Sequence, residues 1–237
     1  MSKALIESKA STSRTEQSTG LWTMGFTPIW WVLFGSQTIL PTLGIGSAWY
    51  GHGVRHEAET DALRALNNPE IERSKFKNIA DQLYNANLID GATGIFGILA
   101  LSTLLPGGVV TAAAFGLGYL GFRAITGARS YNYFESLSNE SAVTATESFL
   151  QANEKQPPAI EARADALVDL GIGAAWAYLG IAILSLATPL GIIGAFGAGL
   201  AAWGFGKSAY ESWQYADELE ATTKKDHITY SSGLAPA

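Results

Sequence analysis

The sequence predicts an all-α integral membrane protein, built from duplicated transmembrane helical hairpins with charged helical connectors on one side. Three observations carry this reading. All 36 Asp, Glu, Lys and Arg side chains lie outside three runs, 17–54, 91–122 and 170–206. One membrane helix needs roughly 20 apolar residues, so runs of this length suit two connected arms better than one helix. The second observation is a repeated string. Leu88, Ile89, Asp90, Ala92 and Gly94 recur as Leu167, Val168, Asp169, Gly171 and Gly173. Each copy continues to a proline turn at Pro106 or Pro189, and then to Ala-Phe-Gly-x-Gly at Ala114 to Gly118 or Ala195 to Gly199. Each leaves its apolar region through Ser130, Tyr131, Asn132 and Tyr133, or through Ser212, Trp213, Gln214 and Tyr215. The third observation is that small residues recur at helical spacing, which lets helix backbones approach closely in lipid. The mean hydropathy of +0.14 conceals this pattern by averaging charged and apolar stretches.

In chain order, residues 1–19 read as a disordered polar tail, rich in Ser and Thr and lacking the apolar core of a secretory signal. Residues 20–54 form a Trp-rich apolar segment with Trp22, Trp30, Trp31 and Trp49. It is either a degenerate hairpin with its tip at Pro41 or an interfacial segment, since indole rings favour the boundary of lipid and water. Residues 55–87 make a charged helical connector in which Pro69, Glu70 and Glu72 suit the first turn of a helix. Residues 88–137 are the first hairpin copy, 138–166 a polar helical connector, 167–219 the second copy and 220–237 a loose tail. The arms cover roughly 24 to 28 Å at ~1.5 Å per residue, close to the ~30 Å of a hydrocarbon layer. Full spans are therefore preferred over shallow wedges. All 15 Lys and Arg fall outside the three apolar runs and none falls at a candidate tip, which by the positive-inside rule puts both termini on the cytoplasmic side.

The helix-packing residues are Gly94, Gly97, Ala114, Gly118 and Gly121 in one copy, and Gly173, Ala177, Gly180, Ala195, Gly199, Ala202 and Gly206 in the other. They are expected to pack each hairpin internally, with oligomerisation as the sharper alternative. Tyr131, Asn132, Tyr133, Trp213, Gln214 and Tyr215 are read as interface anchors or a partner contact. Asp90 and Asp169 open equivalent arms. They could bind an ion, but wet N-terminal capping is preferred because neither has an acid or basic partner inside its apolar run.

The chain has no cysteine, which removes disulfides, thiolate metal sites and cysteine nucleophiles. A net charge of -6 without a basic field gives nucleic-acid binding little support. His52 and His56 stand four apart beside an apolar run and are weak candidates for a metal or tetrapyrrole, lacking a third ligand. No phosphate loop, nucleophile elbow or acid pair is evident, and no cofactor is expected. The expected function is non-enzymatic: a membrane scaffold, assembly or shaping subunit, partnered by the bilayer and by copies of itself or a larger membrane complex. A channel or transporter with Asp90 and Asp169 at its mouth is the first alternative. A pigment- or haem-binding subunit through His52 or His56 is the second.

Overall fold

The computed structural model describes residues 3–35, 39–68, 74–100, 102, 108–138 and 158–233. Among them are seven helices and no strand: α1 (Lys3–Gly25), α2 (Thr27–Phe34), α3 (Ile39–Asn67), α4 (Ser74–Ala100), α5 (Gly108–Ser138), α6 (Pro158–Leu184) and α7 (Pro189–Gly233). Three helical segments are long and apolar enough to cross a membrane: Gly108–Ser138, Ala159–Leu184 and Pro189–Ala221.

The local chemistry of the breaks is plain. Pro28 enters the first turn of α2, where its missing N–H is harmless, and Gly35 at φ 60 ends that helix with its N–H bonded to the Trp31 carbonyl. After α6, Ala187 takes a left-handed φ of 51. Thr188 Oγ1 then accepts the Gly191 N–H at 3.0 Å, capping α7 with Pro189 at its first position.

The six long helices pack side by side in the order α5, α4, α3, α1, α7, α6. Neighbours run antiparallel, because residues late in one helix meet residues early in the next. Gly127 lies against Asn87 and Gly116 against Ile95; Gly191 lies against Ile183 and Gly173 against Ala202; Gly53 lies against Gln17 and Gly46 against Met24. α6 returns to α5 through Arg123–Asp165 and Arg129–Glu161. The six helices thus surround one axis, with the breaks after residues 35, 100 and 184 at what is called here the upper end.

The core has two apolar parts. The lower one gathers Ile6, Ala62, Ala65, Ile79, Leu83, Phe134, Ala159 and Ala216. The upper one gathers Trp30, Ile45, Trp176, Ile183, Ala198 and Phe205, with Trp30 stacked on Trp176 at 5.5 Å between centroids. Between them lies a layer of charge. Outside, large apolar side chains such as Val110, Phe115, Ile181, Phe196 and Trp203 are exposed.

Several expectations are corrected by this architecture. The stretch 1–19, expected as a disordered tail, is helical from Lys3 and buries Ile6, Ser13 and Glu16. It has no proline or glycine before Gly20, and its inward face finds polar partners that a tail could not have. The stretch after residue 219, expected to be loose, continues α7 to Gly233. Pro41 is not a tip but sits in the first turn of α3, and Pro189 begins a helix rather than forming the turn. The connector 55–87 is not a separate unit: its described charged residues, from Arg55 to Arg64 and from Lys75 to Asp81, belong to α3 and α4. Pro69, Pro106 and most of the connector 138–166 lie outside the described residues.

A candidate functional site in the buried charged layer

The layer is built from stripes that each helix carries at helical spacing. On α1 they are Lys9, Ser13 and Glu16; on α3, His52, Arg55 and Glu59; on α6, Glu161, Asp165 and Asp169. α4 adds Asp90, α5 adds Tyr119 and Arg123, and α7 adds Ser208. All of these are buried.

Asp90 is the hub and is fully buried. Its Oδ2 lies 3.1 Å from Arg55 Nη1 and 3.0 Å from Arg123 Nε, and accepts the Tyr119 hydroxyl at 2.9 Å. His52 Nδ1 stands between two carboxylates, 2.9 Å from Asp90 Oδ1 and 3.2 Å from Glu16 Oε2, with neither contact aligned as an ideal hydrogen bond. Arg55 also donates to Glu16, and Arg123 to Asp165 at 3.0 Å. Lower down, Glu161 takes Lys9 and Arg129. The side chain of Arg123 lies over the Tyr119 ring, 5.0 Å from its centroid. Burying so many ions is costly unless each is paired, and the geometry meets that demand almost throughout.

Asp169 is the exception. Its Oδ2 accepts from Ser208 Oγ at 2.6 Å, and no ion pair reaches it among the described residues. At the lower edge, burial holds the Glu59 carboxyl above the usual carboxylate range, although Arg55 opposes the shift. Partial burial lowers His56, whose Nδ1 lies 3.1 Å from Ser13 Oγ.

Above the layer a cavity of about 80 Å³ lies on the axis, with lining residues from all six long helices. Glycines shape it. A Cβ on Gly94 would fall 2.3 Å from the Tyr119 ring, so only glycine lets that ring lie along α4 and its hydroxyl reach Asp90.

The structure brings Asp90 and Asp169 into one layer but not as caps. Both stand in helix interiors, and their partners come from other helices. His52 and His56 diverge, one to the carboxylates and one to Ser13. No group of three or more metal-ligating side chains is arranged for an ion among the described residues. Sequence reading placed the carboxylates in wet connectors and overlooked Glu16, Arg55 and Arg123. The four-residue spacing of Glu161, Asp165 and Asp169 was the signal for a buried polar face.

The small residues divide into two groups. Gly94, Gly97, Gly173 and Gly180 meet neighbouring helices, whereas Gly118, Gly121, Gly199 and Gly206 have open space where a Cβ would stand. Ala114 and Ala177 are exposed, and Ala195 and Ala202 are half-buried. Of the aromatic string, Asn132, Trp213 and Gln214 are exposed and Tyr131, Tyr133 and Tyr215 half-buried. Arg163 lies over Trp213, 5.4 Å from the ring centroid, and Gln214 donates to the Tyr210 hydroxyl at 2.6 Å.

No protein-family model matches the chain, and neither a curated protein nor a solved structure matches it.

Proposed function

We propose that the chain is a non-enzymatic integral membrane scaffold or assembly subunit, with lipid around the bundle above the charged layer. The observation that carries this is an inversion: Asp90 is 0% exposed at the centre while Ile181 is 70% exposed outside. Apolar surface of that extent suits lipid, and the ion network ties the helices into one rigid body. From Asp169 to the end of α6 at Leu184 is roughly 22 Å at ~1.5 Å per residue, most of a hydrocarbon layer. Exposed Tyr50, Trp203, Tyr210 and Trp213 flank the layer, as interfacial aromatics do. The charged lower end and both termini belong on the cytoplasmic side or its equivalent.

Duplication of the α4–α5 and α6–α7 hairpins is part of this proposal. Burial supports it: Asp90 and Asp169, Gly94 and Gly173, Gly116 and Gly197, and Ser130 and Ser212 are all buried. Phe115 and Phe196, like Gly118 and Gly199, are all exposed. The open face of Ala114, Gly118 and Gly121 on α5 would then meet another copy of the chain or a partner helix. Single cysteines at Gly118 and Gly121 should cross-link between copies in native membranes, and the purified protein should be oligomeric or reshape liposomes. A monomer that does neither, and captures no membrane partner, contradicts the reading.

Asp169 favours one other reading, a transporter in which this carboxylate carries a proton or cation, since intramembrane acids without a cation partner are costly and commonly functional. Flux into proteoliposomes that Asp169→Asn abolishes would decide for it. Haem or pigment binding through His52 has less support: the cavity of about 80 Å³ beside it is small against the roughly 300–1,000 Å³ of ligand pockets.

A further inference from the structure

The axial cavity is used by neither reading of function. Its volume of about 80 Å³ gives room for about three waters, at the roughly 30 Å³ that each takes in the liquid. Ile45, Ile172, Trp176 and Phe205 make much of its wall apolar, and His52 lines it next to the charged layer. Two further polar side chains line it above that layer, Thr23 on α1 and Trp49 on α3.

Trp49 carries the argument. Its Nε1–H is buried and has no hydrogen-bond partner among the described residues, which is unusual for a buried indole and calls for an acceptor. The ring lies against Gly20, where a Cβ would fall 3.0 Å from the indole Cδ1, and Thr23 stands one turn further up α1 on the same face. The Thr23 hydroxyl gives its single proton to the Thr19 carbonyl at 2.8 Å, so its oxygen is left to accept. Trp49 in turn stands three residues before His52 on α3. That is a rise of ~4.5 Å, which two hydrogen bonds of ~2.8 Å in series can bridge. Polar groups are thus set out in steps of about one turn, from Thr23 through Trp49 to His52. An apolar occupant would leave the indole N–H unpaired, and a cation would meet a donor where it needs an acceptor. Water both accepts and donates, and finds here the two to four polar partners that a buried water needs.

We propose that the cavity is a water site, in which one water accepts the Trp49 N–H and donates to Thr23 Oγ1, and its neighbours carry the hydrogen bonds down to His52. The charged layer then has water above it at His52, a contact that a rigid scaffold does not need. The test is transfer of magnetisation from water to the Trp49 indole proton, in nitrogen-15-labelled protein in deuterated micelles, with the resonance assigned by its loss in Trp49→Phe. The wild type should show it. Ala48 also lines the cavity. Ala48→Leu, which fills the chamber from α3 and keeps Thr23, Trp49 and His52, should lose the transfer; Ile98→Phe serves if that variant does not fold. No transfer in the wild type means a dry cavity and overturns the proposal. Transfer that persists unchanged in the filled variant comes by relay through hydroxyls or from outside the bundle, and overturns it too.

Discussion

Asp90 concentrates the electrostatics of the molecule in one side chain, because two arginines, a histidine and a tyrosine converge on it. Removing one member of a buried ion pair leaves the others uncompensated, at about 3–5 kcal/mol. Asp90→Asn is expected to lower stability by about that amount, read from denaturant unfolding in micelles; a change no larger than that of a surface substitution contradicts the assignment. Glu59 offers a test of opposite sign. Its carboxyl holds a proton more tightly in the folded than in the unfolded chain, so ionisation works against the fold. The penalty is absent below the ordinary value of 4.5, grows as pH rises past it and is complete above the raised value. Glu59→Gln should therefore match the wild type at acid pH and exceed it increasingly as pH rises, while Arg55 keeps Glu16 and Asp90 as partners. Thermal midpoints across the pH range check this. Asp90 and Asp169 stand out in the sequence as matching letters of a repeated string. Their partners were not legible there, because Arg55 and Arg123 beside Asp90, and Ser208 beside Asp169, lie far off along the chain and only the bundle brings them together.

Helices fared unevenly in the sequence for a physical reason. α5, α6 and α7 announce themselves by long apolar stretches, whereas α1 buries a polar face and exposes another, so hydropathy has no contrast to detect. The helix ends make separate predictions. Thr188→Ala removes the oxygen that accepts the Gly191 N–H and should cost about 1 kcal/mol. The glycines of α4 and α5 divide the same way in a stability assay. Gly94→Ala drives a methyl into the Tyr119 ring and should separate α4 from α5, lowering the unfolding midpoint sharply. Gly118→Ala meets nothing within the chain and should be neutral or stabilise by up to about 1 kcal/mol in a dispersed monomer. Loss of association by Gly118→Ala in the membrane, with the monomer unharmed, would mark that face as the contact between copies.

At the level of the bundle, the account rests on an apolar exterior enclosing a charged layer. The helical class and the long apolar helices were legible in the sequence, because charge exclusion from three long runs leaves few alternatives. The polar start of the chain was not legible as part of the same bundle, since most of α1 turns Lys9, Ser13 and Glu16 inward and gains apolar side chains outside only at Leu21 and Trp22. The most direct test is a spin-label scan along the outward face of α7, at Ile192, Phe196, Trp203, Tyr210, Gln214 and Asp217, in reconstituted bilayers. Oxygen and a water-soluble nickel complex report lipid and water exposure respectively. The account predicts lipid exposure from Ile192 to Trp203, a crossover near Tyr210, just below the level of Asp169 and Ser208, and water exposure at Gln214 and Asp217. Uniform water exposure from Ile192 to Trp203 would contradict it.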